Sequence, residues 1–138
     1  MRLHGKTALV TGSTSGIGLG IAKALAAEGA NLVINGFGDA APIEAERAAL
    51  EQISGGKAIY DAGDLTKVDA ITEMFARADA DMGGIDILVN NAGTQFVSPV
   101  EDFPAEKWDL ILALNLTSAF HTIRHAVPGM RKKGWGRI

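Results

Sequence analysis

The clearest indication of the fold lies in residues 7–18, Thr7-Ala8-Leu9-Val10-Thr11-Gly12-Ser13-Thr14-Ser15-Gly16-Ile17-Gly18. Its apolar start predicts a short strand, and residues 19–28 that follow it predict a helix. A chain that reverses sharply between strand and helix needs residues without a Cβ at the turn, which the glycines provide. The start of the helix, with free N–H groups and roughly +0.5 charge from its dipole, then favours an anion such as a diphosphate.

The spacing of the glycines limits which type of phosphate-binding turn this segment can form. The pattern is Gly-x-x-x-Gly-x-Gly rather than Gly-x-Gly-x-x-Gly, and no Gly-Lys-Ser/Thr follows, so the turn is not a P-loop. Gly16 and Gly18 would let main chain approach a cofactor and let the helix pack on the strand, while Thr14 and Ser15 add hydroxyl donors. The strand before and the helix after favour a dinucleotide site over an ordinary tight turn.

Strand and helix patterns alternate along the whole chain. Strands are predicted at 7–11, 31–35, 57–61 and 85–90, and helices at 16–28, 42–53, 67–81 and 104–131. The alternation predicts an α/β fold with a Rossmann-type doubly wound parallel sheet, and right-handed crossovers give the strand order 3-2-1-4. Pro128 is expected to kink or shorten the last helix. Arg137 and Ile138 resemble the first step of a fifth strand, so we expect residues 1–138 to be the N-terminal portion of a longer single domain.

Composition limits the classes of function. The 138 residues are 47% hydrophobic and 21% charged, which is typical of one globular domain. The net charge of −3 does not indicate binding to nucleic acid or to an anionic membrane. Cysteine is absent, which excludes a disulfide framework and a thiolate nucleophile.

His121 and His125 share a helix face without a third ligand, so no metal is expected. With neither a secretory pattern nor a membrane-spanning run, the expected location is cytoplasmic.

Three polar groups follow predicted strands, at the edge where open α/β sheets bind ligands. After the second strand comes Asn35-Gly36-Phe37-Gly38, where an acidic residue would contact an adenosine ribose and a basic one a 2′-phosphate. Neither is present, although Asp39 is close, and Arg and Lys are absent from 11–20 and 35–39. NAD is therefore favoured over NADP. Phe37 could alternatively serve only to pack the turn, without contacting a cofactor.

The other two groups also leave alternatives open. Asp64 and Leu65, after the third strand, could contact an adenine, or Asp64 could cap the next helix or turn. Asn90-Asn91-Ala92-Gly93 could serve a ligand or tie neighbouring loops together. Gln95 is expected either to point into the ligand-binding crevice at this edge of the sheet or to be a loop residue on the surface. Asn115, in an apolar helix, is expected either as a structural bridge or in an active-site network.

These motifs together resemble the short-chain dehydrogenase/reductase family. The resemblance covers the whole chain in order through Thr11-Gly12-x-x-x-Gly16-Ile17-Gly18, Asp64-Leu65, Asn90-Asn91-Ala92-Gly93 and Asn115-Leu116. Within the family, the sequence resembles the NAD-dependent 3-hydroxybutyrate dehydrogenases more than the general members. That finer likeness lies in residues 32–41, 91–95, 101–109 and 111–116.

The resemblance implies roles for individual residues. Gly12, Ser15, Gly16, Ile17 and Gly18 would hold the diphosphate of NAD. Phe37 would lie at the adenosine ribose and Asp64-Leu65 at the adenine, while Asn91, Ala92 and Gly93 would line the ribose and nicotinamide side. Asn115 would belong to the Asn-Ser-Tyr-Lys catalytic tetrad, and Gln95 would help to hold a substrate carboxylate.

The implied reaction oxidises (R)-3-hydroxybutyrate to acetoacetate, with hydride transfer from C3 to NAD and proton transfer to a tyrosine. The Ser and the Tyr-x-x-x-Lys of the tetrad have no counterpart here, because Tyr60, the single tyrosine, is followed four residues later by Asp64. We therefore expect these 138 residues alone to be inactive, and the full-length enzyme to be a homotetramer, as is common in the family.

Two alternatives to this function stay open. The protein could be another short-chain ketone or 3-oxoacyl reductase, or it could be a non-catalytic NAD-binding module.

Overall fold

The computed structural model describes residues 1–138 as alternating strands and helices. The strands are β1 Thr7–Val10, β2 Asn31–Asn35, β3 Ala58–Asp61 and β4 Ile87–Val89. The helices are α1 Gly16–Ala27, α2 Ala40–Ser54, α3 Val68–Met82, α4 Ala105–Leu112 and α5 Ser118–Lys133. A 3-10 turn spans Val100–Asp102, and a π-helical turn, Ala113–Thr117, joins α4 to α5.

The four strands form one parallel sheet in the order β3-β2-β1-β4, which confirms the predicted topology. Beyond α5 the chain returns to the exposed edge of β4. There Leu88 N–H donates to the Arg137 carbonyl at 2.9 Å, and Arg137 N–H donates to the Asp86 carbonyl at 3.0 Å. Arg137 thus pairs in parallel with Ile87 at the position predicted for a fifth strand.

Helices cover both faces of the sheet, because successive side chains of a strand point to opposite sides. Ala8 and Val10 of β1 enter one core with α1 and α2, whereas Leu9 enters the other with α3 and α5. All three of these side chains are 0% exposed. The nearly continuous apolar strands are therefore explained by burial on both faces, as expected for a doubly wound sheet.

The C-terminal helical region differs from the single helix predicted for 104–131. A π-helical turn interrupts it, and Pro104 precedes α4 as its N-cap rather than lying in its first turn. The helix also continues past Pro128 to Lys133, so the prediction that this proline shortens it was wrong. Helix α5 ends instead at Gly134, whose φ of +69° suits a glycine C-cap. None of the helices is both long and apolar enough to cross a lipid bilayer.

Candidate functional site

A cleft of about 320 Å³ lies where the carboxyl ends of all four strands meet. Most of its lining residues were singled out from the sequence, namely Gly12, Thr14, Ser15, Phe37, Leu65, Asn91, Ala92 and Gly93. Four further lining residues had no role assigned: Asn35, Gly36, Gly63 and Leu114. Six predicted residues lie outside the lining: Gly16, Ile17, Gly18, Asp64, Gln95 and Asn115.

The three glycines of the β1–α1 turn are required for different reasons. Gly12 has φ +61°, and a Cβ on it would lie 2.9 Å from the Cα of Ala92. A Cβ on Gly18 would overlap the carbonyl oxygen of Gly12 and the amide nitrogen of Asn91. Gly16 has φ +59° with nothing within 4 Å of a built Cβ, so open space lies before the first turn of α1.

The start of α1 has main-chain donors available to a ligand. Ser15 occupies the N-cap position but makes no side-chain capping bond, and the first turn contains no acidic residue. The first N–H groups of a helix have no partner within the helix, and the dipole adds positive charge there. Ile17 is 79% exposed in this turn. The geometry fits an anionic group at the position expected for a diphosphate.

Asn35 joins three strand ends beneath the cleft. Its Oδ1 accepts a hydrogen bond from Gly12 N–H at 3.2 Å, and its Nδ2 donates to the carbonyls of Asp61 at 3.1 Å and Gly63 at 3.0 Å. The residue is 2% exposed, so the amide is buried with both of its ends bonded. One side chain therefore holds the turns after β1 and β3 at a set distance from β2.

A second network connects β1 to β4. The hydroxyl oxygen of Thr11 accepts hydrogen bonds from the N–H groups of Asn91 and Ala92, both at 3.0 Å. In return, Asn91 Nδ2 donates to the carbonyls of Thr11 and Gly12, each at 3.0 Å. The expectation that this segment ties neighbouring loops is confirmed, and Asn91 and Ala92 also line the cleft.

The loop after β2 forms another wall of the cleft and carries Phe37, whose side chain is 70% exposed. Thr14 Oγ1 donates to the Phe37 carbonyl at 3.1 Å. Asp39, also exposed, stands at the N-cap of α2 without forming a capping bond. The lining of the cleft includes neither lysine nor arginine.

The two residues predicted for the adenine differ in their placement. Leu65 lines the cleft and is 5% exposed. Asp64 lies outside the lining, and its Oδ1 accepts from the N–H of Thr66 at 2.9 Å and from its hydroxyl at 2.7 Å. These two bonds, the hydroxyl first, hold the pKa of Asp64 below its usual value. The turn-capping alternative for Asp64 is thus present in the structure.

Asn115 lies in the π-helical turn beside the loop that follows β4. Its Oδ1 accepts from Thr94 N–H at 2.8 Å, and its Nδ2 donates to the Thr94 carbonyl at 2.9 Å. This pair of bonds confirms the structural bridge, although the Asn115 residue is exposed rather than enclosed by apolar neighbours. Gln95, next to Thr94, is exposed on the same loop. π-Helical turns are frequent at functional sites.

The two histidines of α5 take part in helix packing. His125 Nδ1 lies 2.9 Å from the His121 carbonyl, and Nε2 lies 3.2 Å from the hydroxyl of Thr72 in α3. No group of three or more His, Cys, Asp or Glu side chains is arranged to hold a metal ion.

Sequence reasoning missed the residues whose contribution depends on distant partners. The sequence predicts Asn35 and Gly36 at the ligand-binding edge of the sheet without a role for either, and it gives no indication of a role for Gly63. The available signal was a buried amide at the end of an apolar strand, since such an amide requires partners. Leu114 gave no signal, because one leucine in an apolar helix is indistinguishable from a core residue.

Residues 6–138 match the sequence profile described as short chain dehydrogenase, and the chain belongs to this family. It is 62% identical over 136 residues to the D-beta-hydroxybutyrate dehydrogenase of Cupriavidus necator, covering 99% of this chain and 52% of that protein. Identity to the D-beta-hydroxybutyrate dehydrogenase of Rhizobium meliloti is 55% over 133 residues, covering 96% and 52% of the two chains. The chain thus spans about half the length of these curated relatives.

Among solved structures, the fold is similar to that of a metagenomic short-chain oxidoreductase in complex with NADP. The TM-score is 0.90 at 34% identity, covering 99% of this chain and 61% of that one. Such a likeness supports binding of a nicotinamide dinucleotide by this family without distinguishing NAD from NADP.

Proposed function

We propose that the chain forms the cofactor-binding part of an NAD-dependent 3-hydroxybutyrate dehydrogenase. Membership of the short-chain dehydrogenase family and the identity to two D-beta-hydroxybutyrate dehydrogenases support this function. The observation that carries it is the cleft at the carboxyl edge of the sheet, which opens beside the uncapped first turn of α1. An extended dinucleotide fits a site with main-chain donors at one point and apolar and amide groups along its walls.

The proposed orientation follows the order of the strands. The diphosphate lies against the first turn of α1, with Gly12, Ser15 and Gly16 leaving main chain accessible to it. The adenosine half extends along β2 and β3, with its ribose at Phe37 and its ring against Leu65. The nicotinamide half extends towards β4, along Asn91, Ala92 and Gly93. When bound, NAD accepts the hydride at its nicotinamide ring.

We further propose NAD rather than NADP as the cofactor. A 2′-phosphate near Phe37 would need a cation, and the lining of the cleft contains none. The exposed carboxylate of Asp39 would add repulsion. The basic residues of the two neighbouring helices, Lys23 of α1 and Arg47 of α2, are paired with carboxylates: Lys23 Nζ lies 2.8 Å from Glu46, and Arg47 bonds Glu44 and Glu51.

The substrate and the catalytic step are proposed from the same resemblance. Gln95 would bind the carboxylate of 3-hydroxybutyrate, and Asn115 would hold a water in the proton path of the tetrad. Hydride leaves C3 as the hydroxyl proton passes to a tyrosine, giving acetoacetate. We do not assign this role to Tyr60, because it lies in β3 and its hydroxyl is bonded to the loop after β2. We expect the 138-residue polypeptide alone to bind NAD without oxidising 3-hydroxybutyrate.

A homotetramer is proposed for the full-length enzyme. Helices α4 and α5 and the π-helical turn between them expose large apolar side chains, with Trp108 at 59%, Leu116 at 66% and Phe120 at 58%. Exposed apolar surface of this kind is typical of protein interfaces.

Calorimetric titration of the purified chain with NAD tests the proposed function. We expect saturable binding, weakened about tenfold or more by Gly16→Val, because valine strains a φ of +59° and fills the space before α1. Gly20→Ala is the matched control, since Gly20 lies inside the same helix with open space around it. No saturable binding by the unsubstituted chain, or equal binding by Gly16→Val, contradicts the assignment.

A further inference from the structure

Two hydroxyl groups hold consecutive carbonyls of the loop after β2. Tyr60 Oη donates to the Gly36 carbonyl at 2.6 Å, and Thr14 Oγ1 donates to the Phe37 carbonyl at 3.1 Å. Tyr60 belongs to β3, where it stands opposite Ile34 of β2. Its ring packs against the hydrophobic core formed between the sheet and helices α1 and α2. The phenol hydroxyl therefore reaches the loop from a side chain that the core holds in place. We name residues Gly36–Gly38 the ribose loop.

The ribose loop would be mobile without these bonds. Gly36 has φ +151° and Gly38 has φ +145°, a region that favours glycine, and the two residues flank Phe37. Phe37 is 70% exposed, so packing of its side chain contributes little restraint. A Cβ on Gly36 would lie 2.6 Å from Thr14 Oγ1, which shows how closely the loop approaches the β1–α1 turn.

We infer that Tyr60 is a positioning residue for cofactor recognition: its hydroxyl holds the ribose loop where Phe37 meets the adenosine ribose and where no cation is available to bind a 2′-phosphate. The inference rests on the proposed function. A held loop keeps Phe37 and the Asp39 carboxylate beside the ribose, where no cation lines the cleft. A released loop would lose its contact with NAD. It would also let Phe37 and the Asp39 carboxylate move away from the position of a 2′-phosphate.

The variant Tyr60→Phe tests this role because it removes one oxygen and retains the ring in the core. We expect the dissociation constant for NAD to rise between about threefold and about tenfold, the effect of losing one hydrogen bond. The dissociation constant for NADP, titrated to millimolar concentration, should change less than twofold. Hydrogen exchange of the peptide spanning the ribose loop should accelerate several-fold, whereas exchange in α1 should stay unchanged.

The control variant is Thr72→Val, which also removes one hydroxyl but lies on α3, where Thr72 bonds Val68 and His125. It should change neither NAD binding nor exchange in the ribose loop. A second variant, Thr14→Val, releases the Phe37 carbonyl and should accelerate exchange in the same loop.

The outcomes separate this inference from the proposed function. If the unsubstituted chain does not bind NAD, the proposed function fails and the inference fails with it. If it binds NAD and Tyr60→Phe binds equally well, only the inference is overturned. It is also overturned if NAD and NADP affinity fall by the same factor, or if exchange accelerates throughout the chain, because either result describes a general loss of stability.

Discussion

The side-chain amide of Asn91 donates hydrogen bonds to two successive carbonyls, those of Thr11 and Gly12, each at 3.0 Å. It thereby fastens the loop after β4 to the end of β1, across 80 and 79 residues of sequence. This amide therefore helps to fix the β4 side of the cleft relative to the β1–α1 turn.

Asn91→Ala should lower the free energy of unfolding by about 1–3 kcal/mol, since two partly buried carbonyls lose their donor. It should also weaken NAD binding, because Ala92 and Gly93 follow it along the cleft. Urea denaturation measures the first effect and calorimetry the second. Gln52→Ala, at an exposed position of α2, is the control and should stay within about 0.5 kcal/mol of the unsubstituted chain. An Asn91→Ala chain as stable as the control would show that these bonds contribute nothing.

Two glycines of α1, two residues apart, should respond oppositely to alanine. Gly18→Ala places a Cβ against the Gly12 carbonyl and the Asn91 amide, and neither can move without disturbing the turn. We expect a loss of about 1–3 kcal/mol from this overpacking. Gly20→Ala meets open space and should stabilise the helix by about 0.5–1 kcal/mol. Equal unfolding midpoints for the two variants would contradict the close packing of α1 on the turn.

The pKa of Asp64 should depend on Thr66. With the hydroxyl and N–H of Thr66 bonded to the carboxylate, the pKa lies below its usual value of 3.8. A lowered folded-state pKa stabilises the fold above the unfolded pKa and loses that stabilisation as pH falls through the folded value. Thr66→Val should raise the pKa of Asp64 towards 3.8, measured by NMR titration of its carboxyl carbon. A titration curve indistinguishable from that of the unsubstituted chain would exclude the hydroxyl as the main cause.

An ion pair with a buried carboxylate should stabilise the junction of β1, β4 and α5. Asp86, 4% exposed, accepts from Lys133 Nζ at 2.8 Å and from Thr7 N–H at 2.9 Å. Lys133→Met leaves this carboxylate without its cation and should cost about 1–2 kcal/mol, less than a fully buried pair because the Lys133 side chain is 39% exposed.

A double-mutant cycle gives the control for this pair. Asp86→Asn together with Lys133→Met should cost less than the sum of the two single substitutions, because the neutral amide needs no cation and still accepts from Thr7. Additive losses in chemical denaturation would mean that the two charges do not interact.

Local patterns predicted much of the candidate site as well as the sheet. The residues of the β1–α1 turn and the segment after β4 were recognisable because they follow apolar strands, and parallel strands end at one edge. The contributions of Tyr60 and Asn35 were not predictable in this way. The partners of these two side chains lie 23–28 residues away in sequence, and no periodicity states which carbonyl or N–H a side chain will reach.

Sequence patterns were enough to predict the order of strands and helices, their parallel arrangement and the glycine turn at the start of α1. They were enough because alternation with periods of 2 and 3.6 residues, chain reversal and crossover handedness are local or nearly local properties. The packed structure was needed to show that Asn35 bonds three strand ends, that Tyr60 bonds the ribose loop and that Asn115 meets Thr94 from a π-helical turn. These contacts depend on atoms that come within hydrogen-bonding distance, 2.6–3.2 Å, only when the sheet and its helices have packed.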